Sequence, residues 1–119
     1  MSFRELIAYR KGFILAMEVF EISKSFPKEE KYSLTDQIRR SSRSVCANIA
    51  EGYRKRKYPK HFYSKLSDSD AENSETLTWI DFSFACKYIT EKQKDELTIK
   101  NQEVGKLINY MMNNPDKFS

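Results

Sequence analysis

Glycine and proline are scarce in this sequence, with three of each among 119 residues. Together they make up roughly 5% of the chain, whereas about 12% is usual. These two residues form most tight turns, so a chain that has few of them cannot easily build many short strands joined by turns. The sequence therefore predicts a small number of long helices.

Length and composition predict one globular domain spanning residues 1–119. A chain of about this length forms a single domain with its own core. The residues are 39% hydrophobic and 32% charged, and the mean hydropathy is −0.71, which argues against both disorder and membrane spanning. No apolar run with a small-residue cleavage site follows Met1, as a signal peptide would require. We therefore expect a cytoplasmic protein.

The two cysteines carry no sign of a metal site. Cys46 and Cys86 lie forty residues apart, and neither has another Cys or a His at metal-binding spacing. Thiols of cytoplasmic proteins normally stay reduced. We expect two reduced, buried thiols, and the sequence calls for no metal or cofactor.

Apolar periodicity and capping residues predict four helices. They span about residues 4–24, 33–57, 59–89 and 90–113. Ser33 with Asp36, and Thr90 with Gln93, match the spacing of capping boxes, and Pro59 suits the first turn of a helix. Short links between long helices favour antiparallel neighbours. The predicted fold is therefore all-α, an up-down-up-down four-helix bundle.

Helical spacing also predicts which side chains face the core. On the first helix the expected stripe is Leu6, Tyr9, Phe13, Met17 and Phe20. The middle of the third helix is less regular, because Ala71 is the one apolar residue between Ser67 and Glu75. A loop is an alternative there. Leu66, Asn73 and Leu77 nevertheless keep helical phase across the gap, which favours one continuous helix with Leu77 in the core.

Residues Gln37 to Gly52, QIRRSSRSVCANIAEG, resemble the central motif of the bacterial 23S rRNA intervening-sequence proteins. The preceding segment Phe26 to Tyr32 and the block from Phe62 to Ile89 are also similar to that family. The resemblance implies a basic four-helix protomer that assembles into a ring-shaped homopentamer. A related branch serves as the accessory protein of diversity-generating retroelements, so a reverse transcriptase or another protein is a possible partner that the resemblance implies.

A set of cations continues from the second helix into the turn that follows it. The set comprises Arg39, Arg40, Arg43 and Arg54, then Lys55, Arg56, Lys57 and Lys60. At about 100° per residue the four arginines fall within roughly a quarter-turn. Phosphate contacts need such cations and no particular base-reading geometry, so this set predicts nucleic-acid binding. Tyr53, Tyr58 and Tyr63 are interleaved with it and suit stacking on unpaired bases.

A second interpretation of these cations is structural. If the second and third helices form a hairpin, Glu72 and Glu75 lie within reach of the helix-two arginines, as ion pairs within or between protomers. A basic run near a helix end also commonly just faces water. The sequence leaves both interpretations open.

The third helix is apolar on two sides. Trp79 and Phe82 fall nearly opposite the side formed by Leu77, Ile80 and Phe84, and a helix that is apolar all round must be covered on both sides. Either the first helix wraps further than usual or a second subunit covers the outer side. We favour the subunit, since aromatic residues are enriched in interfaces. The predicted oligomer interface is Trp79, Phe82, Glu72 and Glu75.

An enzymatic interpretation finds little support in the sequence. His61 is the single histidine, so the paired Glu-x-x-His arrangement of di-iron bundles cannot be built. No phosphate-binding glycine loop or nucleophile motif is present. We predict a non-enzymatic basic oligomer that binds nucleic acid, either structured RNA or a ribonucleoprotein, with DNA also possible and no membrane partner. The alternative is a protein scaffold that binds no nucleic acid.

Overall fold

Four helices and no strand make up the regular structure of this chain in the computed structural model, which describes residues 1–119. The helices are α1 (Ile7–Ser23), α2 (Leu34–Arg54), α3 (Pro59–Ala85) and α4 (Glu91–Asn113). Single 3-10 turns flank them at Phe3–Glu5, Lys28–Glu30 and Pro115–Lys117. The all-α prediction is confirmed. None of the helices has a stretch long and apolar enough to cross a bilayer.

The helices share one core. α2 packs on α1 and α3, and α4 packs on α3 and α1. Each helix contributes large side chains with almost no solvent exposure: Val19 from α1, Ile38 and Ile49 from α2, Leu66 and Ile80 from α3, and Ile108 from α4. The turn between α2 and α3 therefore stands at one end of a rigid, well-packed unit.

The core face of α1 differs from the predicted stripe. Leu6 is buried, but Phe13 is 50% exposed and Met17 is 45% exposed. The buried side of α1 consists of the smaller residues Ala8, Gly12, Leu15, Ala16, Val19 and Ser23. The side with small residues faces the core because α1 approaches α2 closely. A Cβ added at Gly12 would lie 3.2 Å from Cys46 Sγ. A phenylalanine facing that gap would hold the two helices apart.

The polar middle of α3 is helical, so the loop alternative is wrong. Its polar residues Ser69, Asn73 and Thr76 are buried. The Ser69 hydroxyl donates to the Val45 carbonyl at 2.8 Å, and Thr76 Oγ1 shares a 2.8 Å hydrogen bond with Ser41 Oγ. These short side chains satisfy their own polar groups while letting α2 and α3 pack closely. Leu77, predicted in the core, is only half-buried.

One predicted cap is confirmed and one is wrong. Thr90 and Gln93 form a capping box at the start of α4. Ser33 makes no such bond to α2. Instead the Glu30 carboxylate accepts from the Ser33 hydroxyl at 2.6 Å and from the Leu34 amide at 3.4 Å. The carboxylate that caps α2 therefore belongs to Glu30, in the preceding 3-10 turn. Helical periodicity does not predict such a cap.

Candidate nucleic-acid interface and the exposed faces

The turn between α2 and α3 carries five cations, Arg54, Lys55, Arg56, Lys57 and Lys60, which we call the basic turn. α2 ends at Arg54, and Pro59 opens α3 four residues after the Lys55 cap. All five side chains except Arg56 are exposed. None of the five forms a salt bridge. Their positive charge is therefore not neutralised within the protein.

The net charge of the protein is concentrated around this turn. Residues 52–67 contain six of the 21 Lys and Arg residues and none of the 17 Asp and Glu residues. The rest of the chain thus has fifteen cations against seventeen carboxylates. The formal charge of +4 comes entirely from one end of the α2–α3 pair.

The tyrosines near the basic turn differ in accessibility. Tyr58 and Tyr63 are exposed, and the Tyr58 ring meets the His61 ring edge-on at 6.1 Å. Tyr53 is buried, with the Arg56 guanidinium 4.2 Å from its ring centroid. The prediction that Tyr53 stacks on a base is therefore wrong, because its ring already packs in the core beneath Arg56. Tyr58 and Tyr63 keep free ring surface.

The helix-two arginines separate into two groups. Arg39 Nε donates to Ser23 Oγ at 2.8 Å, and its guanidinium lies 4.8 Å from the Phe20 ring centroid. Arg43 lies 5.7 Å from the same centroid. Both therefore turn toward α1. Arg40 is exposed and lies 3.8 Å from Asp36, a contact that contributes little at a surface.

The expected ion pairs with Glu72 and Glu75 do not form within one protomer. No arginine makes a salt bridge with either acid, because the Phe20 ring holds Arg39 and Arg43 on the opposite flank of α2. Glu75 instead accepts from Trp79 Nε1 at 3.2 Å. Burial, followed by repulsion from Glu75 and Asp68, raises the pKa of Glu72, and Arg40 opposes that rise.

The outer side of α3 is uncovered near its C-terminal end. Phe82 is 53% exposed, and its ring lies 5.8 Å from that of the half-buried Trp79. The adjoining groove, of about 420 Å³, is bordered by α2 and the segment before it, including exposed Tyr32. No α1 residue reaches this groove, so the alternative in which the first helix wraps around to cover it is wrong.

A second apolar face lies on α1 and was not predicted from the sequence. Phe13, Ile14 and Met17 are exposed and stand between two grooves, one of about 660 Å³ beside α4 and one of about 410 Å³ beside α2. The available signal was that α1, like α3, has large apolar residues on more than one side. Because one protomer buries a single side of such a helix, the other apolar side stays exposed.

The cysteines lie in different environments. Cys46 is buried, and burial raises the pKa of its thiol to about 11. Cys86 is exposed, so its predicted burial is wrong: α3 ends at Ala85 instead of continuing to Ile89, and the chain turns away there. No group of three or more His, Cys, Asp or Glu side chains is placed to hold a metal ion.

Comparison with known proteins agrees with the arrangement of the helices. The profile of a family described as 23S rRNA-intervening sequence protein matches residues 4–110. A solved structure of a protein with unknown function, from the S23 ribosomal protein family of Bacteroides thetaiotaomicron VPI-5482, superposes with a TM-score of 0.82. The two are 26% identical, over 90% of this chain and 96% of that chain. No curated protein matches. This chain belongs to the family of 23S rRNA-intervening sequence proteins.

Proposed function

We propose that this protein is a non-enzymatic nucleic-acid-binding protein that captures structured RNA, alone or within a ribonucleoprotein, through the basic turn. The observation that carries the proposal is the segregation of charge: six cations and no carboxylate in residues 52–67. A protein that used lysine and arginine only to remain dissolved would have no need to collect its excess charge at one end.

Electrostatic capture suits this geometry. Each cation that neutralises a phosphate releases condensed counterions, which supplies affinity without reading sequence. None of the five cations of the basic turn is held in a salt bridge, so each can contact a phosphate. Exposed Tyr58 and Tyr63 flank them and offer rings on which unpaired bases can stack. The name of the family, which refers to ribosomal RNA, makes RNA the first ligand to test.

The helix-two arginines play a smaller part in this proposal than the sequence suggested. Arg39 uses its Nε donor on Ser23 Oγ, and contact with Phe20 holds both Arg39 and Arg43 on the α1 side of α2. Arg40 and Arg43 both keep exposed side chains, but Arg43 lies over Phe20 and Arg40 lies beside Asp36. The nucleic-acid surface therefore centres on the basic turn. Arg40 is set apart from it, about 21 Å before Arg54 along α2 and close to Asp36 and Glu72.

We further propose an up-down-up-down bundle that assembles into a homo-oligomer, for which the family resemblance suggests a ring of five copies. Contacts between α2 and α3 support the topology, since Ser41 meets Thr76 whereas Glu51, further along α2, meets Lys65, earlier on α3. The exposed Phe82 and Trp79 support association, because uncovered aromatic patches are typical of protein interfaces.

The test of the binding function is a charge-matched comparison. One variant replaces Arg54, Lys55, Arg56 and Lys57 by Gln, and the control replaces four exposed lysines elsewhere, Lys28, Lys87, Lys92 and Lys106, by Gln. Affinity for structured RNA is measured by fluorescence anisotropy from about 50 to 200 mM salt, the range over which phosphate contacts weaken strongly. Both variants lose the same charge, so general electrostatics affects them equally.

We expect the basic-turn variant to weaken binding to all sequences about equally. The slope of log affinity against log salt should fall by roughly 0.7–0.9 for each phosphate that the protein no longer neutralises. The control should retain most of the slope. Equal loss of affinity in the two variants would contradict a localised site.

A second candidate function is a protein scaffold. The exposed apolar faces on α1 and α3 favour it, since both suit protein partners. If the wild-type protein shows no salt-dependent binding to RNA, single-stranded DNA or duplex DNA at about 50 mM salt, where electrostatic association is strong, the scaffold replaces nucleic-acid binding as the proposed function.

A further inference from the structure

Two exposed apolar faces of this molecule carry unpaired charges that are mainly positive on one face and negative on the other. The first, the arginine face, comprises Phe13 and Met17 with Arg4, Arg10 and Arg43. In the groove between α1 and α2, Arg43 is the single charged residue among apolar side chains. Arg4 and Arg10 line another groove at Phe13. Toward α4, Phe13 and Met17 also border a groove that includes Glu18, Glu21 and Glu96, but Glu18 pairs with Lys100 and Glu21 pairs with Lys24. None of these three arginines forms a salt bridge.

The second, the acidic face, comprises Trp79 and Phe82 with Asp68, Glu72 and Glu75. All five lie on one outer stripe of α3, since their spacings of three, four and seven residues keep a common helical side. None of the three carboxylates forms a salt bridge. Burial, and then repulsion from Glu75 and Asp68, raises the pKa of Glu72, and Arg40 offsets that rise only in part, so a further cation would relieve the repulsion.

The two faces are separate and are presented at the same time. The arginine face lies on α1 and the later part of α2, and the acidic face lies on α3 beside the start of α2. They share no residue, and α1 and α3 are not among the closely packed helix pairs. One molecule can therefore offer both faces to different neighbours.

Charge decides how two copies would meet. Placing the arginine face against its own copy would bring guanidinium groups together, and placing the acidic face against its own copy would bring carboxylates together. Like charges across an interface are unfavourable, whereas complementary charges fix orientation. Docking the arginine face of one copy on the acidic face of another buries the apolar side chains of both faces and pairs their opposite charges.

We propose that the acidic face of one copy docks on the arginine face of a second copy. This inference rests on the proposed homo-oligomer and specifies its geometry. Such a head-to-tail interface uses two different surfaces of each protomer, so it builds a ring if the rotation closes and a filament if it does not. It also gives Arg43, Glu72 and Glu75 the salt-bridge partners that they lack within one protomer.

The test uses two variants that each disable one face. Phe13→Glu places a carboxylate in the arginine face, and Phe82→Glu places one in the acidic face. Both side chains are at least half exposed, so the fold should tolerate the changes, which circular dichroism and thermal unfolding check. Met17→Glu provides an independent variant of the arginine face. Ile99→Glu, on an exposed part of α4 outside both faces, is the matched control.

Analytical ultracentrifugation at tens of micromolar gives the readout. We expect the wild type and Ile99→Glu to form the same oligomer. Phe13→Glu, Met17→Glu and Phe82→Glu should each sediment as the 14.1 kDa monomer. An equimolar mixture of Phe13→Glu and Phe82→Glu should form a dimer of twice that mass and nothing larger. The intact acidic face of the first variant can dock on the intact arginine face of the second, and the remaining face of each variant is disabled.

Three results would overturn the proposal. If a single variant forms dimers by itself, like faces pair with each other. If the mixture stays monomeric while the wild type is oligomeric, the oligomer uses other surfaces and only the docking geometry fails. If the wild type is itself a monomer, the proposed oligomer fails together with this interface, while the salt-dependence test of the basic turn is unaffected.

Discussion

Lys87 has a backbone conformation that glycine would adopt more easily. Its φ is 66°, the one positive value in the chain. The Tyr88 amide donates to the Ser83 carbonyl and the Lys87 amide to the Phe84 carbonyl, both at 2.9 Å, which is the Schellman pattern that ends a helix. A left-handed conformation strains any residue with a Cβ. α3 therefore ends at a turn that its own residue disfavours.

Replacing Lys87 by Gly should stabilise the protein. Removal of the Cβ relieves a strain of about 1 kcal/mol, so the free energy of unfolding should rise by up to that amount in urea denaturation. Lys106→Gly, at an exposed position inside α4, is the control and should lower the free energy of unfolding by about 1 kcal/mol. A loss of stability in Lys87→Gly would show that the lysine side chain contributes more than the turn costs.

The two thiols should differ sharply in reactivity. The thiolate is the reactive form, and burial both hides Cys46 and raises the pKa of its thiol to about 11. At pH 8 a disulfide reagent should therefore modify one thiol in the folded protein and two after denaturation. Cys86→Ser should leave none reactive in the folded protein. Fast reaction of both thiols would mean that the α1–α2 packing opens readily.

At the scale of the element, α3 is the helix whose sequence is least typical of its structure. Its buried side carries Ser69, Asn73, Thr76 and Ser83 where most helices place apolar residues. Asn73 and Asn101 form a reciprocal pair across to α4: Asn73 Nδ2 donates to the Asn101 carbonyl at 2.9 Å, and Asn101 Nδ2 donates to the Asn73 carbonyl at 2.8 Å. No buried side-chain polar atom lacks a partner. Hydrogen bonds thus set the register of this helix.

Asn101→Ala should lower the free energy of unfolding by about 1–3 kcal/mol, because Asn73 Oδ1, 3.1 Å from Asn101 Nδ2, would be left buried and unpaired. Chemical denaturation measures the change. Asn109→Ala removes an amide on the same helix that bonds Asp70 at the surface, and this control should change stability by less than about 0.5 kcal/mol. Equal effects in the two variants would mean that the buried pair does not set the helix register.

On the scale of the whole molecule, charge and apolar surface are separated. The basic turn lies at one end of the α2–α3 pair, whereas the arginine face and the acidic face lie on its flanks. Self-association through the flanks would leave every basic turn accessible and would gather several of them on one assembly. Linked sites of this kind bind a long ligand much more tightly than one site does.

The oligomer should therefore matter for long RNA and not for short RNA. Phe82→Glu keeps the basic turn but should be monomeric. We expect it to bind an RNA of about ten nucleotides, the length that one small domain covers, as the wild type does. On a long structured RNA it should lose affinity by about 10²-fold or more, the usual scale of avidity. Fluorescence anisotropy on both ligands decides this, with Ile99→Glu as the control.

Local spacing was sufficient to predict several features. The scarcity of glycine and proline, together with the 3.6-residue period, predicted four helices. The Thr90–Gln93 cap and the cationic turn before Pro59 depend on neighbouring residues alone, and both are present. The continuity of α3 through Ser67 to Glu75 was also predictable, since helical phase persists across its polar residues. These properties are determined within a few residues of chain.

The sequence by itself thus determined the number of helices and where positive charge collects, whereas only the tertiary structure decided which surfaces are buried. α1 has two apolar sides, and the one with Gly12 faces the core because the helices approach too closely for Phe13. Arg39 and Arg43 turn toward Phe20 of α1, away from the acids on α3. Both outcomes depend on distances between helices far apart in sequence, which no local pattern encodes.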